Sequence, residues 1–152
     1  MSSPQHLEKI VDECIKNSNS LHKEKYSKLK ELIETYGGKI PAKKATEIVY
    51  IDGKKRKELS RNFSQTLKAK TDPFKLIFGK SVDYVPHHYL QSCLSLVEVV
   101  FEGEIERIET VIIKILIDMS HHHKGIGFAI QVTGRSHTFH QINRVDTKPI
   151  EL

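Results

Sequence analysis

A chain of 152 residues with 38% hydrophobic and 28% charged side chains has the make-up of an ordinary soluble globular protein, long enough to bury one core without staples. The net charge of +5 conceals a split: residues 1–80 hold eighteen Lys+Arg against ten Asp+Glu, a net +8, while residues 81–152 hold six against nine, a net −3. No run approaches the ~18 apolar residues of a membrane span, so no membrane partner is expected. Two cysteines, Cys14 and Cys93, predict reduced, packed thiols and a cytoplasmic or nuclear location rather than a disulfide framework.

Ser3-Pro4 reads as a helix start, a serine N-cap followed by proline at the first helical position. Leu7, Ile10, Val11, Cys14 and Ile15 then recur at i, i+3, i+4, i+7 and i+8, the stripe of an amphipathic helix. Asn17–Ser20 breaks it. A second helix is predicted from Leu21 to Tyr36, with Leu29, Leu32, Ile33 and Tyr36 on one side and Gly37-Gly38 as its C-cap. Residues 1–38 therefore form a helical hairpin.

Residues 39–73 follow as a basic connector, a short strand over Ile48–Ile51 and a helix over about Glu58–Lys70, whose apolar side carries Leu59, Phe63 and Leu67. Thr71-Asp72-Pro73 ends that helix. Phe74–Phe78 is a further short strand, and His87–Ser95 a short helix.

The sheet is expected mainly in residues 94–134. Leu96–Glu102 reads as a strand. Val111, Ile113, Ile115, Ile117 and Met119 take every second position, which predicts a strand lying on a core. Ile126, Phe128, Ile130 and Val132 repeat the pattern, and the two segments are joined as an antiparallel pair near His121–Gly125. A rival exists for the first: Ile105, Ile108, Ile112, Ile115 and Met119 also fit helical a/d spacing. The β-branched run Val111–Ile113, Ile115, Ile117 favours the strand. The expected architecture is one α+β domain, a helical N-terminal half packed on an antiparallel sheet of three to five strands, with residues 74–145 forming the sheet region.

Lys39, Lys43, Lys44, Lys54, Lys55, Arg56, Lys57, Arg61, Lys68 and Lys70 crowd about thirty positions against only three carboxylates. Clusters of this kind hold phosphate backbones through counterion release, about one unit of salt slope per phosphate. Tyr50 and Phe63 lie within the stretch and suit stacking on unpaired bases. The expected function is thus a small non-enzymatic nucleic-acid-binding protein, RNA ahead of DNA, with the ten cations as its contacts. A protein–protein or homo-oligomeric module built on the apolar sheet is the alternative. A histidine-dependent metal hydrolase is the second, motivated by nine histidines and the run His121-His122-His123.

Consecutive histidines rarely converge on one metal, so the run reads as a polar turn and no metal ligand or cofactor site is assigned. Phe78-Gly79-Lys80-Ser81 imitates the end of a phosphate-binding loop, but Phe74 stands where that motif needs glycine. Cys93 beside His87 and His88 reads as a buried inert thiol, not a nucleophile. The glycines of Phe101–Ile105 and Val132–Ser136 vaguely resemble those of Sm-like RNA-binding barrels over less than a third of the chain. Ile113 and Thr133-Gly134 replace the base-binding residues of that family, and the resemblance is not adopted.

Overall fold

The computed structural model describes residues 7–38, 43–52, 59–120 and 128–134. Helices α1 (Leu7–Asn17) and α2 (Ser20–Tyr36) match the expected hairpin, and Leu7, Ile10, Val11, Cys14, Leu29 and Ile33 all lie in the core. The Ser3-Pro4 start falls outside the described residues. Gly37–Gly38 is not a cap alone: it forms a two-residue strand, β1, beside β5.

Four longer strands follow, β2 (Glu47–Ile51), β3 (Phe74–Phe78), β4 (Leu96–Phe101) and β5 (Phe128–Val132), in the order β1-β5-β4-β3-β2. Every pairing is parallel. The expected α+β class with an antiparallel sheet is therefore wrong, and the fold is mixed α/β. A parallel neighbour needs a crossover of a dozen residues or more. Helix α3 (Arg61–Lys68) supplies one between β2 and β3, and helix α4 (Ile105–Ser120) supplies another between β4 and β5.

Helix α4 replaces the strand expected over Val111–Met119, and with it the hairpin to 126–134. The burial pattern explains the outcome. Ile112 and Leu116, the intervening positions of the alternation, are fully buried, whereas Ile117 is 42% exposed and Ile113 only partly covered. Ile105, Ile108, Ile112, Ile115 and Met119 make one inward stripe of period 3.6. Burial along that stripe outweighs the weak preference of β-branched residues for strands. The short helix expected over His87–Ser95 is also absent; that segment is a series of turns.

Strands β2 to β5 are added in one direction, so the right-handed rule for parallel crossovers places their connections on one face. Side chains tie those connections together. The Ser64 hydroxyl of α3 donates to the Tyr89 carbonyl at 2.6 Å, and Asp118 of α4 accepts from the Leu90 N–H at 3.2 Å. Under this layer run two rows of aligned residues, Val49-Leu76-Val99-Ile130 and Ile51-Phe78-Phe101-Val132. Phe78 and Phe101 stack with centroids 5.3 Å apart. The opposite face carries Ile48-Lys75-Glu98-Ala129 and Tyr50-Ile77-Val100-Gln131. There Glu98 accepts from Gln131 Nε2 at 2.5 Å and lies 3.8 Å from Lys75 Nζ. No helix among the described residues is long and apolar enough to cross a membrane.

Candidate functional site

Helix α3 owes its start to Ser60, whose side chain accepts the Phe63 N–H at 3.2 Å in an N-cap. Its apolar side puts Leu67 into the core. The neighbouring stripe, Arg61, Ser64, Gln65 and Lys68, follows i, i+3, i+4, i+7 and faces the turn of residues 86–89. Between the two lies a half-open cavity of about 260 Å³, walled on its far side by His87 and His88. None of its lining residues is acidic.

The backbone of the turn is held from behind. Asp118 is 3% exposed, and its Oδ1 lies 3.8 Å from His88 Nδ1 while Oδ2 takes the Leu90 N–H. His88 and Ser92 have φ of 60° and 69°, in the left-handed region that non-glycine residues adopt at a cost of order 1–3 kcal/mol. Beneath the turn Cys93 is fully buried; burial pushes its thiol up to about 12, with Asp118 reinforcing and Lys68 opposing. A thiol held in that form is a poor nucleophile. The chemistry available to the cavity is anion binding, by a guanidinium, an ammonium and two imidazoles.

The ten cations expected to form the site divide. Arg61 and Lys68 meet at this cavity. Lys70 is tied to Glu47, Nζ to Oε2 at 2.6 Å. Lys43 and Lys44 are exposed ahead of β2. Lys39, Lys54, Lys55, Arg56 and Lys57 lie outside the described residues. Neither aromatic candidate joins the cavity lining: Phe63 packs partly buried against the core, and the Tyr50 hydroxyl donates to Glu102 at 2.9 Å. Sequence reasoning missed the imidazole wall and Asp118. The polar stripe on α3 was there to be read; its approach to His87 and His88 depends on the turn.

The carboxyl edge of the sheet, where open parallel sheets ordinarily bind ligands, has a different character. Among the described residues, Asp52, Asp83, Glu102 and Glu104 follow the strands there, with Lys80 and Arg107; Lys54, Lys55, Arg56 and Lys57, which come next after β2 in the sequence, lie outside the described residues. Arg107 is engaged with Asp83 at 3.7 Å and donates to the Lys80 carbonyl at 3.4 Å. Gly79, from the loop-like tetrapeptide, sits against β2: a Cβ would stand 2.6 Å from Tyr50 Oη and 3.2 Å from the Ile51 carbonyl oxygen, so the tyrosine would have to shift. No helix follows it, so no phosphate cradle forms.

Histidines 121–123, 137 and 140 lie outside the described residues, and among the described ones no three His, Cys, Asp or Glu side chains converge to hold a metal. Comparison of the chain with protein-family models, with curated proteins and with solved structures found no match.

Proposed function

We propose that this chain is a small non-enzymatic polyanion-binding protein whose ligand is nucleic acid, single-stranded RNA ahead of duplex DNA. The observation that carries the reading is the shared cavity of Arg61, Lys68, His87 and His88, free of carboxylates in its lining. Its volume suits one phosphate group with its sugar, presented by a flexible strand, better than the broad face of a duplex. The remaining cations of the first half add a diffuse attractive field that raises the encounter rate. Titration of labelled single- and double-stranded RNA and DNA across a salt series tests the reading. Affinity falling with salt, by about one unit of slope per phosphate neutralised, is the expected result. Absence of binding even at low ionic strength removes it.

A second reading, self-association, loses its first motive, because the Val111–Met119 run is a helix buried in its own core. It keeps another: β2 ends the strand order, and its Ile48 is 63% exposed. Light scattering of the wild type and of Ile48→Lys tests it; a monomer in both cases rejects it.

A further inference from the structure

We infer that the α3 cavity is a site for a phosphate monoester, the dianionic group at the end of a nucleic acid strand or on a mononucleotide, rather than for an internal phosphodiester. The inference rests on the anion-binding reading of the same cavity and narrows its ligand. Three features support it.

The first is capacity. At about 260 Å³ the cavity is below the ~300 Å³ at which pockets for whole small-molecule ligands begin, so it accepts a headgroup and not a run of nucleotides. The second is donor count. Arg61 offers a fork of N–H groups, Lys68 an ammonium, Gln65 an amide, and each imidazole a ring N–H. An internal diester presents two non-bridging oxygens and about one charge. A monoester presents three strong acceptor oxygens and a charge of about −1.5 to −2 at neutral pH, which matches two fixed cations and saturates more of the donors.

The third is placement. Arg61 and Lys68 stand seven positions, or two turns, apart on one side of α3, and both line the cavity. His88 lies on the opposite wall, its Nδ1 3.8 Å from Oδ1 of the buried Asp118 and its side chain largely exposed. The His87 and His88 rings, with centroids 6.1 Å apart, both line that wall, so donors from the helix and from the turn share one cavity.

The test uses the full chain and three probes: a short single-stranded RNA bearing a 5′-phosphate, the same RNA with a 5′-hydroxyl, and a nucleoside 5′-monophosphate. The phosphorylated strand is expected to bind about tenfold more tightly than the hydroxyl strand, as an added charge-assisted contact requires. In Arg61→Gln/Lys68→Gln that increment disappears while residual binding of both strands persists, and the far-ultraviolet circular dichroism is unchanged. If the mononucleotide equals the phosphorylated strand, the free nucleotide is the source of the group; if only the strand binds tightly, the strand end is. Equal, salt-sensitive affinity for both strands overturns the monoester inference and leaves the polyanion reading standing. Failure of every probe at low salt overturns both.

Discussion

Among the described residues, those that follow the strands at the carboxyl edge include four carboxylates beside Lys80 and Arg107, whereas the flank of α3 gathers two cations and two imidazoles around a cavity. The edge is the customary ligand position in an open parallel sheet, but custom depends on a crevice where the strand order reverses. Strands β2 to β5 never reverse, and at Gly134 the backbone is closely packed: a Cβ there would meet the Glu102 and Gly103 carbonyl oxygens. Glu106 in the first turn of α4 and Glu104 just before it occupy the positive end of that helix's dipole with the chain's own charge. On the proposed reading, charge and packing, not topology alone, decide where a sheet of this kind meets an anion.

The contrast can be broken or sharpened experimentally. The largest effect belongs to the core that both regions share. Phe101→Ala removes one ring of the Phe78 stack and should cost about 3–5 kcal/mol in urea unfolding, with RNA affinity per folded molecule unchanged. Next, Arg61→Glu/Lys68→Glu should weaken RNA binding by about 2–4 kcal/mol at low salt, two charge-assisted contacts being lost. The matched reversal at the edge, Lys80→Glu/Arg107→Glu, should change it by less than about 0.5 kcal/mol. Equal losses at both places would erase the distinction.

A pH series probes the layer beneath the basic flank. The folded Cys93 thiol sits above its unfolded range, so the unfolded chain loses that proton first as pH rises. The stabilisation is complete below about 8.5 and is lost progressively as pH climbs toward the folded value of about 12. Urea midpoints should fall on the alkaline side, and less steeply in Cys93→Ala. Among the stability effects the smallest is expected at Tyr50→Phe, whose half-exposed bond to Glu102 contributes about 0.5–1 kcal/mol and no RNA affinity.

Much of the fold is legible in the residues. The stripes of α1, α2 and α3 and the short apolar runs of β2, β3 and β4 each have one dominant period. The segment 105–120 has two, because apolar residues at both odd and even positions satisfy period 2 and period 3.6 together. Only the partner surface resolves them, and it lies elsewhere in the chain. That one reading then decided the class, since a strand at 110–119 implies a hairpin and a helix there implies a parallel crossover. The site is half legible for the same reason. Arg61 and Lys68 stand in a visible basic tract, but His87 and His88 reach them through a turn whose shape depends on Asp118 and on left-handed residues. No local pattern announces those.

The two-residue strand β1 carries one more implication, for the order in which the molecule assembles. Strands β2 to β5 pair with their nearest predecessors, but Gly37–Gly38 must find Phe128–Ala129 about ninety positions away, a closure whose entropic cost rises with each doubling of the loop by about 0.6 kcal/mol. Two glycines repay little of it. This border of the sheet should therefore zip last and open first, so amide protons there should exchange with solvent well before those of β3 and β4.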